Sequence, residues 1–509
     1  MTKPILQTIC LSVMMFACTR TGQTFPFPAQ STPHQQEATE SRSGFERAFS
    51  IFSEDPHLRN AQWAFYLSDV TRDVPLAMHN SEKAIVPAST QKLVTSISAL
   101  FMLGPGYTYH TDLQHDGSIE PEGILHGNLF IKGSGDPSLG SAAMSDTLSL
   151  EHVFAHFLDL LREKGIKQVA GHIVADETIF DQEIVPRKWL WEDMGNYFGA
   201  GSSGLSVNEN AYTVYFRAGA ALGDRAHVLS TRPVIPGMSY INQVTTGERG
   251  SGDQVYIFGA PYIQERLLTG SVPLGATNFP VRGSIPEPPL FMAAAFRNFL
   301  IENGIEVAGE SHSWRSAGLA GLDLGFRRIT LGGWASPPLF EIVFRTNQAS
   351  VNTYAENLLK TIGKEVGGRG DLHTGIQAIR GFWQERGIDL TGMSLHDGSG
   401  LSPSNRLTAR QLGQLLEAAA RDQMFPALLN SLPLAGFSGS LANHFRDTPS
   451  EGILRAKSGY LGNVRAYAGY TNLQNGNLAA FVLIVNDYDG SPAVMREKMF
   501  LLMDAITRH

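Results

Sequence analysis

Ser89-Thr90-Gln91-Lys92 follows Pro87-Ala88 and opens an apolar stretch, Leu93, Val94, Ile97, Ala99, Leu100, Phe101 and Leu103, that closes at Gly104-Pro105. The pattern predicts a buried helix with a serine in its first turn. Residues three apart share a helix face, so the Lys92 amine can reach the Ser89 hydroxyl, a nucleophile beside its base. The N-terminus of a helix adds unpaired backbone N–H groups, which favour negative charge developing near Ser89. Taken alone, the same four residues describe a serine cap on an ordinary core helix, and the spacing by itself does not choose.

Two later stretches do choose. Ser350-Val351-Asn352 opens a second helical pattern through Tyr354, Ala355, Leu358, Leu359 and Ile362, and Lys457-Ser458-Gly459 sits in a strand-like run from Ile453 to Leu461. Active-site serine penicillin-recognising enzymes carry Ser-x-x-Lys, Ser-Asp-Asn and Lys-Thr-Gly in that order. Here Val351 replaces the middle residue of the second motif, whose outer Ser and Asn carry the polar groups. Ser458 replaces Thr in the third, keeping a hydroxyl and dropping a methyl.

Flanking residues narrow the match. The chain resembles the class C low-molecular-mass penicillin-binding proteins, the D-alanyl-D-alanine carboxypeptidase/endopeptidase group, from about Phe65 to the C-terminus. The matching stretches include Gly133-Ser134-Gly135-Asp136-Pro137, Ser336-Pro337-Pro338-Leu339, Asp397-Gly398-Ser399-Gly400-Leu401-Ser402 and Leu432-Pro433-Leu434-Ala435-Gly436. Amide cleavage calls for Ser89 to attack the carbonyl and Lys92 to act as base, which requires a neutral amine; burial and the second cation, Lys457, both disfavour its charge. The resemblance implies the remaining roles. Ser350 passes a proton to the leaving amine, Asn352 holds the substrate amide and Lys92, and Lys457 with Ser458 binds the terminal carboxylate ahead of Gly459. The backbone N–H groups of Ser89 and Tyr460 form the oxyanion hole. Asp176, within Val-Ala-Asp-Glu-Thr, resembles a family segment that offers an acidic contact to the amine of a diaminopimelate stem peptide.

Three activities fit such a chain: a peptidase on cell-wall stem peptides, inhibited by β-lactams; a β-lactamase; and a non-catalytic penicillin-binding sensor or scaffold. No dedicated deacylating glutamate motif points to the second. No cofactor is implied, and with no His-Glu-x-x-His spacing no metal site is signalled. With a net charge of −8, 43% hydrophobic and 17% charged residues, and no basic run, a nucleic-acid partner is not expected.

At 509 residues the chain exceeds one ordinary core. The interval from Ser89 to Ser350 is far longer than a loop needs, so a strand-rich insertion is expected over 105–330, between catalytic segments 45–104 and 331–509. The catalytic part is expected to be α+β, an antiparallel sheet flanked by helices in the manner of β-lactamases and transpeptidases. It would use a helix at Phe45 to Phe52, a hairpin from Trp63 to Met78, and strands Ile453 to Leu461, Val464 to Thr471 and Leu478 to Val485. Short turns at Gly462-Asn463 and Asn475-Gly476 make the last three antiparallel. In the insertion one strand, Val169 to Ala175, is expected to deliver Asp176 at its end.

Met1-Thr2-Lys3 followed by the apolar stretch Ile5 to Ala17 reads as an export signal over 1–18, implying a periplasmic protein. Two processing routes fit its end: plain signal cleavage, or the lipoprotein route at Met15-Phe16-Ala17-Cys18, which acylates Cys18 as a membrane anchor. Both cysteines, Cys10 and Cys18, lie there, which leaves the mature domains without a disulfide. Residues 19–44, rich in Thr, Ser, Gln and Pro, suit a tether.

Overall fold

A computed structural model describes residues 44–325 and 327–509. The export segment, Cys10, Cys18 and the tether up to residue 43 lie outside the described residues. Among the described residues no helix is long and apolar enough to cross a membrane.

The two ends of the chain meet in one five-stranded sheet, ordered Val74–His79, Gln62–Asp69, Leu478–Asn486, Val464–Asn472 and Arg455–Leu461. Every neighbouring pair is antiparallel. The central strand is apolar on both sides because both faces of the sheet are covered. Ala479, Phe481, Leu483 and Val485 pack with the terminal helices, 44–53 and Pro492–Ile506. Ala480, Val482 and Ile484 belong to a second core built from helices Lys92–Leu103, Asn352–Gly367 and Ala409–Ala420. A two-residue turn joins Leu461 to Val464, as the Gly462-Asn463 pair demands. The fold is thus α+β, a helix-covered antiparallel sheet.

Between Leu103 and Leu339 the chain builds a separate core. A mixed five-stranded sheet runs Ser311–Ser313, Ile173–Asp176, Leu129–Lys132, His110–His115, Ile329–Ala335, and a four-stranded sheet runs Glu306–Val307, Gln168–Val169, Ile124–His126, Ser118–Ile119. The expected single strand from Val169 to Ala175 is therefore two strands in two sheets. Gly171 divides it, with backbone so close that a Cβ there would lie 2.3 Å from the Gly127 carbonyl oxygen. At the far end, pairing of Ile329–Ala335 with His110–His115 carries the inserted sheet through Ala335, past residue 330. Helix Asn352–Gly367 is the seam with the catalytic part: Asn357 Nδ2 donates to Gly135 O at 2.9 Å and Thr353 Oγ1 to Ala200 O at 2.9 Å.

Candidate active site

Ser89 lies on a 3₁₀ turn, Ala88–Gln91, that runs into the α-helix at Lys92. The expected first α-turn is thus wound more tightly, and in a 3₁₀ turn residues i and i+3 eclipse, which sets Lys92 directly over Ser89. Ala88, just before the serine, has φ +46, and Ser350 has φ +56. Non-glycine residues in this left-handed region are strained by about 1–3 kcal/mol, and such strain collects where function requires it. The Ala88 carbonyl also needs a neighbour without a side chain. A Cβ on Gly400 would lie 2.0 Å from that oxygen.

The Lys92 amine is fully buried and contacts three acceptors: Ser89 Oγ at 3.1 Å, Asn352 Oδ1 at 2.5 Å and the Ser399 carbonyl at 2.8 Å. Burial pushes its pKa down from 10.5 to about 7, against the opposing fields of Asp397 and Glu356. A neutral amine has two N–H donors and one lone pair. When that form gives its donors to Asn352 and Ser399, its lone pair is left for the Ser89 hydroxyl. The Asn352 side chain is oriented for this by its other end, since Nδ2 donates to Phe198 O at 2.6 Å.

Lys457, also buried, donates to Ser350 Oγ at 2.9 Å and to the Ser458 carbonyl at 2.8 Å. Burial, with the Lys92 charge as a second cause, pulls its pKa well below the usual lysine value. Neither contact is a carboxylate. Ser458, half-exposed, donates to Ser440 Oγ at 2.8 Å.

Arg455–Leu461 is the edge of the sheet, and its hydrogen-bond phase is readable. Ala456 N–H leaves the sheet to donate to Pro433 O at 3.0 Å. By the two-residue repeat of an antiparallel strand, the N–H and C=O groups of Ser458 and Tyr460 also point off the edge. Gly459 lets this edge lie against the serine turn: a Cβ there would come within 2.9 Å of Pro87 O and 3.1 Å of Ser89 N. The N–H groups of Ser89 and Tyr460 can therefore converge on one oxyanion.

A further layer was not resolved by reading motifs. Asp397, buried, accepts five hydrogen bonds, from Gln91 Nε2 (2.9 Å), Trp189 Nε1 (2.8 Å), Gly400 N (2.8 Å), Ser402 N (2.6 Å) and Asn405 Nδ2 (2.8 Å). Glu356, buried one turn into the second-motif helix, accepts from Gly398 N at 2.9 Å and Ser399 N at 2.8 Å. Burial and the nearby Asp397 raise its pKa to about 8. Together they hold the 397–402 loop so that the Ser399 carbonyl meets Lys92. The Asp397 loop is visible in the sequence as a turn; its partner Trp189 carries no local signal.

Asp176 takes its side-chain partners from the insertion. Its buried carboxylate pairs with Arg328 Nη1 at 2.6 Å and accepts from Thr178 N at 3.0 Å and Thr178 Oγ1 at 2.6 Å. The Arg328 guanidinium lies over the Phe130 ring, 3.9 Å from its centroid. Asp176 thus forms an ion pair within the insertion, where the expectation was an open acidic contact for a substrate amine. Among the described residues no group of three or more His, Cys, Asp or Glu is placed to hold a metal ion.

Known proteins resemble the chain over most of its length. The model of the D-Ala-D-Ala carboxypeptidase 3 (S13) family matches residues 47–506. The D-alanyl-D-alanine carboxypeptidase of Actinomadura sp. (strain R39) is 30% identical over 449 residues, covering 86% of this chain and 80% of that protein. The carboxypeptidase DacB of Haemophilus influenzae is 24% identical over 430 residues, covering 83% and 85%. The crystal structure of penicillin binding protein 4 (dacB) from Haemophilus influenzae superposes with a TM-score of 0.77 at 21% identity, over 90% of this chain and 97% of that one. The same protein complexed with a β-lactam gives a TM-score of 0.72 over the same shares.

Proposed function

The chain belongs to the D-Ala-D-Ala carboxypeptidase 3 (S13) family, and we propose that Ser89 is the nucleophile with which it cleaves stem peptides of peptidoglycan. The activity is that of a serine-type D-Ala-D-Ala carboxypeptidase, with β-lactams as acylating inhibitors. One observation supports the assignment of residues: the buried Lys92 amine lies 2.5 Å from Asn352 Oδ1, 2.8 Å from the Ser399 carbonyl and 3.1 Å from Ser89 Oγ, so its neutral form can give its two donors to the first pair and its lone pair to Ser89.

In the first half-reaction, neutral Lys92 takes the Ser89 proton as Oγ bonds to the carbonyl carbon of the penultimate D-Ala. The negative charge that develops on the carbonyl oxygen is met by the N–H groups of Ser89 and Tyr460. The C–N bond then breaks, and Ser350 gives its hydroxyl proton to the departing amine and takes one back from Lys457, 2.9 Å away, which recovers the proton that Lys92 took from Ser89, so both lysines return to their starting states. Lys457 and Ser458 hold the carboxylate of the leaving D-Ala, a charge-assisted contact. Water, deprotonated by Lys92, then opens the Ser89 ester, and Lys92 returns that proton to the departing Ser89 Oγ.

Incubation with a muropeptide ending in D-Ala-D-Ala tests the reading. Release of D-Ala by wild type, and neither release nor covalent penicillin labelling in Ser89→Ala, is the expected result. Rapid penicillin hydrolysis would mark a β-lactamase, and stable acylation without D-Ala release a sensor. We place the enzyme in the periplasm, where its substrate lies, supported by the basic and apolar segment Met1 to Ala17. A lipid anchor at Cys18 is tested by incorporation of a labelled lipid precursor into wild type but not into Cys18→Ala.

A further inference from the structure

The outer face of a three-stranded sheet in the insertion is left without a task by this chemistry. Strands Ser239–Asn242 and Glu265–Thr269 lie parallel, and Tyr256–Phe258 pairs antiparallel with the second. Side chains alternate between the two faces of a strand. Ile257 and Leu268 point into the core, so Tyr256, Phe258, Leu267 and Ile241 point out. An alternating strand ordinarily turns polar residues to water, yet Tyr256 is 47% and Ile241 46% exposed. Trp191, 56% exposed, comes in from a neighbouring loop to extend the apolar row. Its ring centroid is 5.9 Å from that of Phe258 at an inclination of 29°, and Phe258 is 6.3 Å from Tyr256 at 28°. Contiguous exposed apolar surface of this kind marks a binding face.

The same loop is bonded to the catalytic groups at both ends. Two residues before Trp191, Trp189 donates to Asp397; Ser402 Oγ donates to Lys188 O at 3.0 Å; and the Phe198 carbonyl holds Asn352. In between, Asn196 Oδ1 accepts from Ile257 N at 3.1 Å, in the strand that carries Tyr256 and Phe258. Gly195 packs so tightly there that a Cβ would lie 1.9 Å from Ile257 O. The ring row and the Ser89 site are thus parts of one hydrogen-bonded frame.

We propose that the row Trp191, Phe258, Tyr256 is a subsite for the glycan strand of the polymer whose stem peptide occupies the Ser89 site. The inference rests on the peptidoglycan reading above. A pyranose ring offers an apolar face of C–H groups with hydroxyls at its rim, and flat aromatic faces bordered by polar groups complement it. Ser239, Thr269 and Glu265 border the rings on the same face. No lysine or arginine stands among the outward residues of these strands, which suits an uncharged sugar backbone and not a polyanion. Holding the glycan here raises the local concentration of its attached peptide at Ser89, by the logic of two linked binding events.

The test uses the full chain, soluble glycan strands stripped of peptide with the freed lactyl carboxylates capped as amides, a free peptide ending in D-Ala-D-Ala, and intact peptidoglycan. Wild type binds the stripped glycan. Trp191→Ala and Tyr256→Ala each weaken that binding about three- to tenfold, the range for loss of an aromatic contact. D-Ala release from intact polymer falls in parallel, release from free peptide stays at the wild-type rate, and Trp191→Phe retains most of the glycan binding. Equal glycan binding and polymer turnover in wild type and both alanine variants overturns the proposal. So does a change in oligomeric state with no effect on glycan, which would make the face a contact between two copies of the chain. If wild type binds stripped glycan but releases no D-Ala from any substrate, the subsite stands and the catalytic reading falls.

Discussion

Acylation of Ser89 should rise with pH through about 7, and the geometry sets the size of the effect. An amine moved from 10.5 to about 7 has the relative free energies of its two forms changed by about 5 kcal/mol. At pH 7 about half of such lysines are neutral, against about one in 3,000 for an ordinary lysine, so burial alone raises the fraction of enzyme able to react roughly a thousandfold. The reactive form is the base, so the rate must fall as pH drops below about 7. It should fall tenfold per pH unit, to about one hundredth of its plateau at pH 5. Stopped-flow acylation by a fluorescent penicillin between pH 5 and 9 measures this directly. Lys92→Arg fills the site with a group that stays protonated, and should lose about 10²–10⁴ in acylation rate, the usual range for a general base, at every pH. A pH-independent wild-type rate, a midpoint near 10, or near-normal acylation in Lys92→Arg would refute the assignment of Lys92 as the base.

Three further outcomes follow from particular contacts. Lys457→Ala removes a charge-assisted contact to the substrate carboxylate worth about 1.5–3 kcal/mol, so acylation should slow by about one to two decades, whereas Ser458→Thr, which keeps the hydroxyl, should change it little; steady-state and acylation rates on the same peptide check both. Asp176→Ala leaves the part-buried Arg328 charge without its partner and should lower unfolding free energy by about 1–3 kcal/mol in urea titration, with acylation per folded molecule unchanged; unchanged stability with selective loss of turnover on diamino-acid stem peptides would give Asp176 a substrate role. Glu356, raised from 4.5 to about 8, keeps its proton in the folded state where the unfolded chain has lost it, so its contribution to stability is present below pH 4.5 and is lost as pH rises through about 8. Melting temperatures of wild type and Glu356→Gln should therefore diverge in their pH dependence across that window, with the variant falling less.

Local spacing was enough for the part of the site that local geometry controls. Ser89 and Lys92 are three residues apart, and any helical winding brings them together; the turn being 3₁₀ only tightens the pairing. The sheet was equally legible, because Leu478–Asn486 is apolar on both faces and its neighbours are joined by two short turns whose residues dictate hairpins. The order of the three motifs carried the family. What the chain order could not supply is any contact whose partners are distant in sequence. Trp189 and Asp397 are bonded across 208 positions, Lys92 and the Ser399 carbonyl across 307, and neither donor differs locally from a residue with no such task. Asp176 ends a strand as expected, yet the cation its carboxylate pairs with, Arg328, stands 152 positions away. The division of Gln168–Asp176 between two sheets likewise turned on Gly171 meeting the Gly127 backbone. Composition and periodicity determine which residues are buried and which elements they form, since those depend on neighbours along the chain. The direction of a side chain's polar atoms, and hence the pKa of Lys92 and the fate of Asp176, is decided only when remote segments close around it.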